Sequence, residues 1–379
     1  MSPCAAVVIS TLLPHTMTRA TENPSVDRIW YTRCPAPTPF GIAIQQGWLK
    51  DEFRADGIDV RALQDASDPV IRQSNFTHSQ PRSFRQGGNI PALWTRANGA
   101  DTRVIGLSWV DEFQGLVALP SSGVHTADDL RGRRFGLPRN TRSQVVDFHR
   151  ATALRGFVTL LGAVGLTLDD VQLVELPTAP RGLADEPPVR NGGASQLLAT
   201  ERAQEFSFEA LALARNEVDV VFVKGASGLD AANLIGAQVI VDLEDQPDRL
   251  LHANNGTPRP LTVDAAFLRE RPDLVARVLA RAIEAGEWAS AHPQAAVAYI
   301  ARETRSAEHW VGHAYGPQLA AQLQIGLDQT AIAALENFKQ FLFKHEFIAQ
   351  DFDFASWIDP VPLATARTLL AERSLAAAA

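Results

Sequence analysis

Only two cysteines occur in the 379 residues, Cys4 and Cys34. Two thiols cannot build a disulfide framework, and no C-x-x-C or Cys/His spacing points to zinc. Residues 1–25 read as a disordered extension, so a Cys4–Cys34 bridge is not expected, and neither a metal nor another cofactor enters the reading. Basic excess is missing as well: the net charge of −8 leaves nothing to meet a nucleic-acid backbone. It does leave room for a small anionic ligand, which needs only a local cluster of arginines. No run approaches the roughly 20 apolar residues that span a bilayer. The apolar stretch Ala5–Leu13 has no Lys or Arg before it and no small-x-small site after it, so it makes a poor secretion signal. A cytoplasmic location is expected, and Met17 is an alternative start. There is no internal repeat, and no low-complexity tract beyond Ala376–Ala379.

What is present is an ordinary globular composition, 46% hydrophobic and 21% charged, on a chain long enough for two domains. Val26–Arg33 reads as a strand, Phe40–Phe53 as a helix and Gly57–Leu63 as a second strand, the order of a parallel sheet. Ile90–Asn98 reads as a helix and Thr102–Trp109 as a strand. Gly115–Leu119 reads as a strand passing into a new domain. There Arg133–Leu137, Val171–Glu175, Val218–Val223 and Gly236–Leu243 read as strands, with helical stretches at 143–165 and 195–216 between them. Leu261–Phe267 reads as a return crossing, and from Pro272 onward three- and four-residue spacing of apolar residues predicts helices. The expected division is a discontinuous first lobe, 26–116 plus 245–379, and a second lobe, 117–244.

Candidate site residues follow from that order, because ligands in open α/β sheets bind beyond the carboxyl ends of the strands. Cys34 follows the first strand, between Arg33 and a Pro-x-Pro run. Asn75–Pro91 has little apolar periodicity and reads as a loop that meets a ligand. In it, Gly87 and Gly88 let the backbone approach closely, and Arg85 offers a planar fork of donors to an oxyanion. Thr141, Arg142 and Ser143 stand at an expected helix N-terminus, a favourable anion site. Lys224 follows another strand. Phe148 and His149 read as packing.

Several of these segments resemble the aromatic sulfinate desulfinases of bacterial dibenzothiophene desulfurisation. Tyr31-Thr32-Arg33-Cys34-Pro35-Ala36-Pro37 is similar to one active-site segment of that family. Phe76-Thr77, Gln80-Pro81, Arg85, Gly87-Gly88 and Ile90-Pro91 resemble a second with the same spacing. Further likeness runs through Leu130–Arg134, Asp169–Val171, Val218-Asp219 and Leu268–Trp288. The resemblance implies an α/β, two-lobed periplasmic-binding-protein-like (type II) fold with a ligand cleft between the lobes and additional C-terminal helices. It implies Cys34 as the catalytic thiol, with Arg85 and the Gly88 N–H holding the sulfinate, and no cofactor. The family's histidine falls at Asn75, and His78 is the nearest candidate substitute. Lys224 and Thr152 stand where the family has bulky aromatic residues, which implies a more polar pocket.

The chemistry implied is cleavage of an aryl sulfinate to the arene and sulfite. Cys34 could deliver a proton to the ring carbon or attack sulfur as a thiolate; proton delivery is the favoured expectation. The other reading of the same residues is a solute-binding protein for a sulfonate-like anion. It would serve a transporter permease from the periplasm and perform no chemistry.

Overall fold

The computed structural model describes residues 26–32, 34–140, 145–178, 205–244 and 246–378. Ten strands among them form two sheets of five. They are β1 (Arg28–Thr32), β2 (Asp59–Ala62), β3 (Ser83–Gln86), β4 (Thr102–Ser108), β5 (Gln114–Ala118), β6 (Arg134–Asn140), β7 (Gln172–Thr178), β8 (Val220–Lys224), β9 (Gln238–Asp242) and β10 (Arg259–Asp264). The first sheet has the order β2-β1-β3-β10-β4 and the second β7-β6-β8-β5-β9. In each, four strands run one way and the fifth, antiparallel to them, arrives from the other sheet. β10 runs against β3 and β4, and β5 runs against β8 and β9. The chain therefore crosses twice, between Ser108 and Gln114 and between Asp242 and Arg259. Gln114, Gly115 and Leu116, expected to close the first lobe, open the second sheet instead.

Local chemistry explains where the elements begin. Pro39 lies in a proline-rich run expected to exclude regular structure, yet it opens the helix Pro39–Gln45. The first helical residue needs no N–H, and Thr38 Oγ1 accepts the N–H of Gly41 at 2.9 Å. The expected Phe40–Phe53 helix is two, Pro39–Gln45 and Trp48–Phe53, because Gly47 takes a left-handed φ of 79° between them.

The largest correction concerns Asn75–Pro91. It is the end of the helix Pro69–Thr77, then β3, then the start of the helix Asn89–Ala97. β3 is buried although two of its four residues are long and polar. Gln86 Nε2 donates to Ser108 Oγ at 3.2 Å, and Gln86 Oε1 accepts the Phe40 N–H at 3.2 Å. Buried polar groups are tolerated where partners satisfy them, and both partners of Gln86 are distant in sequence.

One hydrophobic core runs from Phe135 and Phe222 on the second sheet and Phe157 on the helix Phe148–Ala163 to Ile90 and Leu93 beside the first. Phe338, Leu342 and Trp357 of the C-terminal region close it. A second core packs the first sheet against the helices Pro272–Ala291 and Val361–Ala378. The C-terminal helices thus brace both lobes. Among the described residues no helix is long and apolar enough to cross a membrane. Residues 1–25, with the extension expected there, lie outside the described residues.

Candidate active site

β3 is the centre of the site. It lies between β1 and β10, so that Arg85 pairs with Thr32 on one side and Thr262 on the other. Cys34 follows the end of β1, and Gly87 and Gly88 follow the end of β3. Neighbouring strand ends bring these residues together despite their separation in sequence. A β-carbon on Gly87 would lie 2.4 Å from Cys34 Sγ and 3.9 Å from Arg85 Nη1. The thiol therefore sits directly on the bare backbone of Gly87, beside the guanidinium. Cys34 is a free cysteine, half-buried.

Arg85 is 6% exposed and is held by two backbone carbonyls. Its Nε donates to the Asn75 carbonyl at 3.2 Å and its Nη1 to the Gly88 carbonyl at 2.6 Å. A guanidinium has five N–H donors, so this anchoring leaves others for a ligand. Burial lowers the pKa of the Arg85 side chain, and the neighbouring Cys34 acts in the opposite sense. Gly88 caps the helix Asn89–Ala97, where the first backbone N–H groups lack intrahelical partners.

A cavity of about 180 Å³ opens between the lobes here. Cys34, Asn75, Arg85, Gly88 and Lys224, all expected at the site, line it. Asn75 turns its amide in from the helix Pro69–Thr77. Its Oδ1 accepts from Gln64 Nε2 at 3.1 Å, while its Nδ2 has no hydrogen-bond partner among the described residues. Phe76 stacks on Phe148 with centroids 6.0 Å apart and planes 15° from parallel, giving the cavity an aromatic wall. Phe148 and His149, expected to pack elsewhere, both line it. Thr141, Arg142 and Ser143 lie outside the described residues.

His78 does not reach this cavity. It caps its helix at a left-handed φ of 52°, and its ring points behind Arg85. There it borders a separate space of about 10 Å³ with Thr32, Ser74, Thr262 and Asp264. Its Nδ1 is 3.4 Å from Thr95 Oγ1. Burial first, and then the charge of Arg85, push its pKa well below the ordinary 6.5.

A stability consequence follows. Between those two values the unfolded chain binds a proton that the folded chain refuses. Stability contributed by the neutral ring is thus complete above pH 6.5 and falls as the pH drops below it, by at most about 1.4 kcal/mol per pH unit. His78→Gln should flatten the urea midpoint between pH 7 and pH 5; an unchanged slope would show that His78 titrates normally.

The opposite wall is a charge cluster that sequence reasoning missed. Lys224, expected to face a ligand as a free cation, donates instead to Glu112 Oε1 at 2.6 Å and to the Asn255 carbonyl at 2.8 Å. Thr257 Oγ1 donates to the same Glu112 oxygen at 2.6 Å, and Arg259 Nη2 approaches Glu112 Oε2 at 3.5 Å. Burial alone would raise the Glu112 pKa, but the charges of Lys224 and Arg259 and these hydrogen bonds bring it below its ordinary 4.5. Asn255 joins the two walls: its Oδ1 accepts the Ile90 N–H at 3.3 Å, and its carbonyl holds Lys224. A hint was available in Pro258-Arg259-Pro260, an arginine between prolines just before a crossing strand. Among the described residues no group of three or more His, Cys, Asp or Glu side chains is arranged to hold a metal ion.

Two α/β lobes with an arginine-lined cleft beyond their strand ends define a ligand-cleft protein of the periplasmic-binding-protein fold, carrying a thiol in the cleft. No protein-family model matches the chain. It is 29% identical over 358 residues to the 2'-hydroxybiphenyl-2-sulfinate desulfinase of Rhodococcus erythropolis, covering 88% of this chain and 92% of that protein. A crystal structure of the desulfurization enzyme DSZB superimposes with a TM-score of 0.67 at 26% identity, over 90% of this chain and 99% of the other. A cysteine-to-serine mutant of DSZB in complex with biphenyl-2-sulfinic acid gives 0.68 over the same shares. The periplasmic sulfonate-binding protein SsuA from Methylobacillus flagellatus KT gives 0.65 at 16% identity, covering 91% and 95%, a likeness of fold. The desulfinase resemblance read from the sequence and the two-lobed fold it implied are both borne out.

Proposed function

We propose that this protein is a carbon–sulfur hydrolase that cleaves an aromatic sulfinate to the arene and sulfite, with Cys34 as the proton donor. The observation that carries the reading is the seating of Cys34 Sγ on Gly87 beside the Arg85 guanidinium, inside a cavity with an aromatic wall. The similarity to a 2'-hydroxybiphenyl-2-sulfinate desulfinase supports the substrate class.

In this reading Arg85, the Asn75 amide and the backbone at Gly88 hold the sulfinate oxygens, and Phe76 and Phe148 hold the ring. Cys34 delivers its proton to the ring carbon bearing sulfur. The electron pair of the carbon–sulfur bond forms the new C–H bond, and SO2 departs. Water adds to SO2 to give hydrogen sulfite and a proton, and that proton restores the thiol. The sum is ArSO2⁻ + H2O → ArH + HSO3⁻. Holding ring carbon and thiol together converts a bimolecular proton transfer into an effectively unimolecular one.

A solute-binding protein is the second reading, supported by the fold shared with SsuA. It would use the same arginine and backbone donors but has no need of a thiol. Incubation with 2'-hydroxybiphenyl-2-sulfinate decides between the two. The expected products are sulfite and the hydroxyarene in equal amounts. Tight binding with the ligand recovered unaltered would reverse the assignment in favour of transport.

Gly87 provides a sharper check. Alanine there would put its β-carbon 2.4 Å from Sγ, so Cys34 must move. A displacement on the order of 1 Å costs roughly 10²-fold in rate. Gly87→Ala should therefore lose about that factor in kcat while both Cys34 and Arg85 are retained; a variant as fast as the parent would place the reaction away from this thiol.

A further inference from the structure

Arg259 is 1% exposed, opens β10 beside β3, and lines the cavity together with Arg85. Its Nε and Nη1 are buried and have no hydrogen-bond partner among the described residues. Among the described residues its one ionic contact, through Nη2 to Glu112, is 3.5 Å long. The Glu112 carboxylate is taken up more closely by Lys224 and Thr257, each at 2.6 Å. Among the described contacts one carboxylate, Glu112, serves two buried cations, and a second carboxylate, Glu205, lines the same cavity. A buried charge without a partner is costly, as is a buried N–H without an acceptor. Among the described residues no side chain supplies what Arg259 lacks, and Arg259 lines the cavity.

We infer that Arg259 forms a second anion subsite in the cleft, and that the preferred substrate is an aromatic sulfinate bearing a carboxylate on its ring system. The inference rests on the proposed function for the position of the first anion, at Arg85. Arg85 and Arg259, on neighbouring strands, then hold two anionic groups of one flat molecule, with Phe76 and Phe148 lining the same cavity. Gly256 lies against the cluster: a β-carbon there would be in van der Waals contact with Arg259 Nη2 at 3.6 Å and with Glu112 Oε1 and Lys224 Nζ at 3.7 Å. The polar far wall, where Lys224 replaces an aromatic residue of the resembling family, suits an acidic substituent better than a hydrocarbon ring.

Titration calorimetry with uncleavable sulfonates tests binding apart from turnover. The probes are benzenesulfonate, 3-sulfobenzoate and 4-sulfobenzoate, offered to the full chain. One of the two sulfobenzoates should bind about tenfold or more tightly than benzenesulfonate, the worth of one charge-assisted contact. In Arg259→Met that ratio should fall to near one, and in Arg259→Lys it should be partly kept. If Arg259→Met fails to fold, the double variant Glu112→Gln with Arg259→Met keeps the charge balance of the cluster and should show the same loss.

Equal affinities in the unaltered protein, no binding of any probe, or a preference that survives Arg259→Met would each overturn the subsite. Sulfite release from benzenesulfinate and 3- and 4-carboxybenzenesulfinate is measured in parallel. Sulfite from none of them, beside an Arg259-dependent binding preference, sinks the hydrolase reading and keeps the subsite. Sulfite from benzenesulfinate with no binding preference does the reverse.

Discussion

Cys34→Ser should reduce sulfite release by about 10²–10⁴-fold, the range that a positioned general acid contributes, and should still bind an arenesulfinate. The substitution changes one atom and leaves the anion-holding groups in place. Arg85 keeps its hydrogen bonds to the carbonyls of Asn75 and Gly88, since neither involves the sulfur. What changes is acidity: a serine hydroxyl gives up a proton far less readily than a thiol, so the ring carbon loses its donor. The measurement is single-turnover sulfite release beside a binding isotherm on the same preparation. Loss of turnover with binding retained places Cys34 in the chemistry. Loss of both would mean that the thiol mainly shapes the cavity, and undiminished turnover would remove Cys34 from the mechanism.

Glu112→Ala should cost about 3–5 kcal/mol of stability, the penalty for stripping a buried charge of its partner. Glu112 lies between β4 and β5, on the first crossing, whereas Thr257 and Arg259 belong to the second. Lys224 ends the central strand of the second sheet. The carboxylate therefore ties both crossings to one lobe, and its removal leaves Lys224 and Arg259 facing each other unneutralised. Because its folded pKa is depressed, the stability it contributes is complete above the ordinary 4.5 and is lost as the pH falls below that value. At neutral pH the full penalty should appear as a lowered urea midpoint. An internal control is Glu175→Ala. Glu175 is bonded to Arg150 but is nearly half exposed, and such a pair is worth at most about 1 kcal/mol. Equal effects from the two variants would show that the crossing cluster is not dry.

The two predictions divide along what could be read from the chain. Cys34, Arg85, Gly87 and Gly88 were legible because local constraints mark them. A cysteine before Pro-x-Pro cannot be an ordinary core filler, and a glycine pair after an arginine offers backbone to a ligand. The alternation of strand and helix was legible because it rests on apolar spacing. β3 was misread as loop for the converse reason: Arg85 and Gln86 are polar, and their burial is made tolerable by the Asn75 and Gly88 carbonyls for Arg85 and by Ser108 and the Phe40 N–H for Gln86. His78 looked like a neighbour of the site because it is close in sequence; the left-handed turn at the helix end sends its ring behind Arg85 instead.

By itself, then, the sequence determined the α/β class, the strand ends at which a site could form, and the thiol and guanidinium that could act there. These depend on residues within a few positions of one another. Only the tertiary structure decided that Lys224 is neutralised by Glu112, that Arg259 is left without a full partner, and that Phe148 and His149 face the cavity. Each of those outcomes depends on two crossing segments and two lobes meeting at one point. Charge compensation in a buried cluster is a sum over groups brought together by folding, and no local spacing in the chain carries that sum.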